Sequence, residues 1–166
     1  MPQETAVQLT AYTDQYKQII RNYTINELEF TGSPLEAIER CEQEAGRHAI
    51  LVFFDQILVG FFVLHDWAGA KKYTKNRHAL LLRTFSIDSR YQGRGYGRRT
   101  IEQLDGFVKV HFPKVDEIVL GVNHANIKAQ NLYLHHGFED TGSRVIGIHG
   151  EQLVLSKGIR KMQQRS

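Results

Sequence analysis

Apolar residues recur along the chain at two periods, and the switches between them predict the elements. Val7–Ala11 reads as a short first strand. Thr13 is placed to cap a helix through Tyr16, Ile19 and Ile20. Ser33-Pro34 has the form of a helix start, with serine as cap and proline in the first turn, and Leu35 and Ile38 carry that helix toward Gly46. His48–Phe54 and Gln56–Leu64 are β-rich runs on either side of a polar turn near Asp55, which predicts an antiparallel hairpin. His65–Asn76 lacks periodicity and is expected to be a loop. His78–Ile87 is the next strand. Gly95–Phe112 is the longest helix, with Ile101, Leu104 and Val108 on one face and Pro113 ending it. Glu117–Val122 reads as a buried strand. Asn126–His136 reads as a helix stopped by Gly137, and Arg144–Ile148 with Gln152–Ser156 as a last hairpin around His149-Gly150.

The resulting order is β-α-α-β-β-β-α-β-α-β-β, with antiparallel strands first and a βαβ-like crossover after them. It predicts an α/β fold: one domain over residues 1–166, a mixed, mostly antiparallel sheet with helices on both faces. Neither an internal repeat nor an interdomain linker interrupts it.

Composition narrows the class. The chain has 166 residues, 42% hydrophobic and 23% charged, which excludes a disordered, collagen-like or disulfide-scaffold protein. The longest apolar stretch, Ile57–Leu64, is far short of the roughly 20 residues of a membrane-spanning helix, so no membrane partner is expected. Met1-Pro2-Gln3-Glu4 has no basic or apolar region of a signal peptide, and the single cysteine, Cys41, forms no internal disulfide. A reducing cytoplasm is the expected compartment.

The formal net charge is +3 and the pI about 9.0, which raises the question of a nucleic-acid partner. The distribution answers against it. Nucleic-acid modules interleave basic and stacking aromatic residues over a face. Here Arg90, Arg94, Arg98 and Arg99 gather on one loop, whereas Glu27, Glu29, Glu36, Glu39, Glu42 and Glu44 face only Arg40.

The loop is the most informative segment. In Asp88-Ser89-Arg90-Tyr91-Gln92-Gly93-Arg94-Gly95-Tyr96-Gly97-Arg98-Arg99 three alternating glycines join a strand to a helix. Such a loop turns backbone N–H groups inward, and the helix start adds its positive end. Arg98 and Arg99 in the first turn oppose the helix dipole by roughly 0.3–1 kcal/mol each. A bound pyrophosphate would remove that conflict. Neither a Walker loop nor a dinucleotide fingerprint fits, because no Gly-Lys-Ser/Thr follows and Arg98 stands in the third glycine's place.

Gln92-Gly93-Arg94-Gly95-Tyr96-Gly97 resembles the Gln/Arg-x-x-Gly-x-Gly/Ala signature of the GNAT N-acetyltransferases. Asn126-Ile127-Lys128-Ala129-Gln130-Asn131-Leu132-Tyr133-Leu134-His135-His136-Gly137-Phe138 resembles that family's Asn-x-x-Ala-x-x-Leu-Tyr-x-x-x-Gly-Phe run. With their strands, the two motifs cover about residues 80–140. The resemblance implies a GNAT-like fold and transfer of an acetyl group from acetyl-CoA, without metal, to a primary amine by direct attack in a ternary complex. It implies that Phe85, Ser86 and Ile87 present backbone to the pantetheine arm. Gln92, Gly93, Arg94, Gly95, Tyr96, Gly97 and Arg98 would hold the pyrophosphate, and Asn126 and Ala129 would meet the pantetheine. Tyr133, otherwise a core aromatic, would protonate the departing thiolate, and its phenol, of ordinary pKa about 10, suits a thiol of about 8.5.

Stripping the proton from an amine of pKa about 10.4 needs a base. The strand stretch Leu82-Arg83-Thr84, where some family members carry a glutamate, has no carboxylate; Glu27, Glu29, His65, Asp66 and His124 are the candidates. Similarity of the loop to bacterial diamine and polyamine acetyltransferases, with Glu27 and Glu29 as cation-binding residues, makes a diamine or polyamine the expected acceptor. A protein amine, an aminoglycoside and a non-catalytic acyl-CoA sensor are the alternatives. By the same analogy, the terminal strands Arg144–Ile148 and Gln152–Ser156 are candidate homodimer elements.

Overall fold

The sheet owes its two-sidedness to strands that are apolar on both faces. The computed structural model describes residues 6–26 and 32–159. Seven strands form one sheet in the order β1-β2-β3-β4-β5-β7-β6. They are β1 (Gln8–Ala11), β2 (Arg47–Phe54), β3 (Ile57–His65), β4 (Ala79–Ile87), β5 (Glu117–Asn123), β6 (Glu139–Gly147) and β7 (Gly150–Gly158). All pairings are antiparallel except β4 with β5. The β2–β3 hairpin turns on Asp55 and Gln56, both at positive φ, as a two-residue turn that follows the strand twist requires.

The helices are α1 (Lys17–Arg21), α2 (Pro34–Gln43), α3 (Trp67–Ala70), α4 (Tyr96–His111) and α5 (Ile127–Leu134). On one face Ile50, Val52, Phe62, Leu64, Leu80, Leu82, Ile118 and Leu120 pack with Ile101, Leu104 and Val108 of α4 and Tyr133 of α5. On the other, Ala49, Leu51, Phe61 and Val63 pack with Ile20 of α1 and Ala37 and Ile38 of α2. Ala70 and Leu81 with Val119 extend that second layer under α3. Helices on both faces of a mixed, mostly antiparallel sheet match the expectation.

The differences are local. The segment expected to be a loop holds α3, a four-residue helix whose cap is Asp66, accepting from the Ala68 N–H at 3.1 Å. Its Gly69 and its shortness hide it from periodicity. Thr13 makes no side-chain cap bond, and the helix after it is a 3-10 turn followed by five α residues. β6 begins at Glu139, well before the expected Arg144. Glu139–Ser143 is polar and exposed because β6 is the sheet edge, and its pairing is irregular between Asp140 and Arg144. Among the described residues no helix is long and apolar enough to cross a membrane.

Candidate active site

β4 and β5 pair only at Ala79↔Glu117, Leu80↔Ile118 and Leu81↔Val119. Beyond that point β4 continues to Ile87 against β3, and β5 continues to Asn123 against β7. The sheet therefore opens between its two central strands, with Leu82–Ile87 on one side and Leu120–Asn123 on the other. A bulge in β4 marks the opening: β3 advances from Phe61 to Val63 while β4 falls from Ser86 to Arg83. Within it Thr84 sits at φ +55, a conformation that costs a β-branched residue about 1–2 kcal/mol. Phe85 keeps its ring on the α4 face, edge-on to Phe62 at 6.1 Å.

The glycine loop closes the wide end of this gap. Gly93 (φ +78) and Gly95 (φ +84) turn the chain, and Gly95 is the N-cap of α4 without any side-chain cap. The first-turn N–H groups of a 16-residue helix thus face the loop without a capping side chain. Gly97 packs against α5, where an added Cβ would meet Leu132 at 3.5 Å. Tyr96 is buried against Phe54, and the Gln92 side chain donates to the Ile87 carbonyl at 3.2 Å.

The four arginines divide. Arg94 and Arg98 are exposed on the loop, Arg94 stacked over Tyr91 and Arg98 within 3.8 Å of Glu102. Arg99 instead lies over the rings of Phe54 and Tyr96, so only one of the two first-turn arginines stands free of the aromatic core. Arg90 grips Asp88 through two bonds of 3.0 and 2.8 Å and reaches the Asn22 carbonyl at 2.8 Å. Asp88 was not singled out in the sequence. It is fully buried, accepts from Arg90 and from the Thr24 N–H, and ties residues 22–26 to the loop. Burial works to raise its carboxyl, but those hydrogen bonds outweigh it and hold the group below its ordinary value.

Tyr23 reinforces the same seam, its hydroxyl 2.8 Å from both the carbonyl and Oγ of Ser86. On the other side of the gap Asn126 caps α5, accepting from the Ala129 N–H at 3.2 Å, and Ala129 packs on the core of that face. Tyr133 stands in that core at 8% exposure, its ring 5.4 Å from Phe138. Burial pushes its phenol above the ordinary value, so the hydroxyl stays protonated at neutral pH.

The opposite face of the gap carries a cleft of about 580 Å³ lined by Arg47, His65, Lys71, Lys72, Tyr73 and Arg83, with Glu44. Strand register builds its floor: Arg47, His65, Leu81 and Val119 stand in one row across β2 to β5, and Ala49, Val63 and Arg83 in the next. Gly121 continues the Val119 face of β5, and a Cβ there would lie 2.9 Å from the Tyr73 ring. Arg47 is paired to Glu44 at 2.6 Å, and Arg83 approaches His65 Nδ1 at 3.4 Å. The signal for this cleft was present in the sequence as one charge, Arg83, interrupting the apolar run of β4.

The candidate bases fare unequally. His65 is buried, and burial first, then Arg47 and Arg83, lower its basicity. Asp66 is used as the α3 cap, and His124 is exposed, its Nδ1 3.3 Å from the Glu151 carbonyl. Glu27 and Glu29 lie outside the described residues.

Comparison with known proteins identifies the fold and the family. The chain matches the Acetyltransferase (GNAT) family over residues 13–138. It is 36% identical over 152 residues to the uncharacterised N-acetyltransferase YbbJ of Bacillus subtilis, covering 90% of this chain and 95% of the relative. The spermine/spermidine N(1)-acetyltransferase of the same species is 25% identical over 154 residues, 92% of this chain and 99% of that one. Among solved structures, AAC(6')-Ib in complex with paromomycin and acetyl-CoA superposes with a TM-score of 0.74 at 15% identity, covering 92% of this chain and 93% of that one. The spermidine N-acetyltransferase of Vibrio cholerae with CoA and spermine gives 0.70 at 17% identity, covering 94% and 97%. These two likenesses speak to the fold; the family match and the Bacillus relatives settle the membership. The chain belongs to the GNAT family of acetyltransferases and is an N-acetyltransferase.

Proposed function

We propose that the chain transfers the acetyl group of acetyl-CoA to a primary amine, and that the gap between β4 and β5 is where the two substrates meet. The observation that carries this reading is the end of the β4–β5 ladder at Leu81↔Val119, with an uncapped, glycine-turned helix start at its mouth. The residues fit the co-substrate. The inward N–H groups of Gln92 to Arg98, with Arg94 and Arg98 beside them, suit a pyrophosphate. The unpaired edge of β4 at Phe85, Ser86 and Ile87 suits an amide-bearing arm, with Asn126 and Ala129 on the far wall. Ser86 keeps its carbonyl on Tyr23, so that arm would draw on the remaining backbone groups.

When bound, acetyl-CoA supplies the activated thioester. The chain supplies position and protons. Its gap holds the reacting carbon facing the cleft from which a neutral amine attacks in a ternary complex. Tyr133, protonated at neutral pH as any phenol is and made a weaker acid by its burial, would hand its proton to the departing sulfur as negative charge develops there. The amine must shed its own proton. Of the described candidates His65 is poorly basic and Asp66 caps a helix, which leaves His124, the candidates Glu27 and Glu29, or relay through water. Similarity to the spermine/spermidine acetyltransferase supports a diamine or polyamine acceptor. A second reading, favoured by the basic cleft, is taken up below.

The test is release of the CoA thiol from acetyl-CoA over a panel of amines. Turnover that Tyr133→Phe lowers by about 100-fold or more, within the range of general-acid contributions, with unchanged acetyl-CoA affinity, is the expected result. Acetyl-CoA binding without turnover of any amine would point instead to a sensor.

A homodimer through the β6 edge belongs to the same reading. Ile146, 71% exposed, stands on the edge strand β6, and Ile148, 96% exposed, in the turn that follows it. Sedimentation of the full chain should give the dimer mass, and Ile148→Asp should shift it to the monomer.

A further inference from the structure

We propose that the cleft on the far face of the sheet holds an anionic group of the acceptor, so that the amine acetylated belongs to a molecule carrying a carboxylate or phosphate. The inference rests on the acetyl transfer proposed above and puts an anionic amine in place of its diamine or polyamine acceptor.

Position comes first. The cleft lies on the face opposite α4 and α5, and its one β4 residue, Arg83, stands two positions beyond Leu81, where the pairing with β5 ends. An acceptor entering from that face meets the thioester at the apex of the gap. Whatever lines the cleft therefore touches the part of the acceptor that is not reacting.

Charge comes second. Arg47, Lys71, Lys72 and Arg83 line the cleft with a single carboxylate, Glu44. That carboxylate is spent on Arg47 at 2.6 Å. Among the described residues no carboxylate lies within ion-pair distance of Arg83, which has His65 Nδ1 at 3.4 Å. Burial, and then the like charge of Arg47, lower the Arg83 guanidinium from its ordinary value. Two guanidiniums held toward one space repel each other and repel a polycation. An anion between them relieves both effects, and the planar fork of arginine suits the paired oxygens of a carboxylate or phosphate.

Construction comes third. His65 is wedged so closely against Gly69 that a Cβ there would sit 2.2 Å from its ring nitrogen, which fixes the ring that Arg83 leans on. The cleft is thus cationic and built on a fixed imidazole, which suits the anionic end of an amino acid or amino phosphate.

Matched amine pairs test this directly. Lysine against cadaverine differs only in a carboxylate, and O-phosphoethanolamine against ethanolamine only in a phosphate. Initial rates of CoA release by the full chain should give kcat/KM at least tenfold higher for the anionic member of a pair, and the responding pair distinguishes carboxylate from phosphate. Arg83→Gln should erase that preference through KM while kcat at saturation is retained, and Arg83→Lys should restore part of it. Arg47→Gln repeats the measurement should the Arg83 variants fold poorly. Equal or higher kcat/KM for cadaverine, ethanolamine or spermidine, or a preference untouched in Arg83→Gln and Arg47→Gln, overturns the inference and leaves the acetyltransferase standing. The function itself falls only when no amine, polyamines included, releases CoA.

Discussion

Single side chains in this protein do work that their neighbours define. Asp88 is buried, yet charged, because Arg90 and two backbone N–H groups surround it. Removing one partner of such a bond leaves the others unmatched, at about 1–3 kcal/mol. Asp88→Ala should lose that much stability in denaturant melts and weaken acetyl-CoA binding, because residues 22–26 and the glycine loop lose their common anchor. A variant with wild-type stability and affinity would deny Asp88 that role. His65 shows the opposite case. Its folded-state pKa lies below the ordinary histidine value through burial and the charges of Arg47 and Arg83. The unfolded chain therefore binds a proton there more readily, so the stability this group contributes is present above about pH 6.5 and is lost as pH falls through the depressed value. Melting temperature should fall from pH 7.5 to pH 5, and His65→Gln should flatten part of that fall. An unchanged slope in the variant would remove His65 from the account.

The elements differ in how plainly the sequence announces them. The glycine loop and the Asn126 cap rest on local rules, left-handed glycines and a side chain three residues from the N–H it accepts, so both were legible. The cleft was not, because Arg47, His65 and Arg83 meet only through the register of three strands and a bulge at Thr84. α3 escaped because four residues carry no periodicity, and the start of β6 because an edge strand exposed on both faces has no alternation to show. The division of the arginines depends on Phe54, a strand residue distant in sequence, against which Arg99 stacks at 5.1 Å. The loop also yields a clean test. At Gly95 the nearest obstacle to a Cβ is Arg98 Nη2 at 3.5 Å, so the obstacle to substitution is conformational. Gly95→Ala should cost about 1–2 kcal/mol of stability and lower acetyl-CoA affinity, both measurable by thermal melts with and without the ligand. Full affinity in that variant would argue that the loop backbone does not hold the pyrophosphate.

At the scale of the whole molecule, the proposed reaction would have one sheet serve two substrates from its two faces. α4 and α5 build a wall on one side, with uncapped helix amides and a protonated Tyr133. α3 and the β2–β3 strands build a cationic cleft on the other. The opening between β4 and β5 joins them, and it exists because the parallel pairing lasts only three residues. Basic residues gather at the loop and in the cleft, the two places where the proposed reaction would handle anions. The measurement that bears most directly on this account is CoA-thiol release by the purified chain with acetyl-CoA and the amine panel, beside Tyr133→Phe. The account predicts turnover with at least one amine and a drop of about 100-fold in the variant. No release of CoA with any amine of the panel would contradict it.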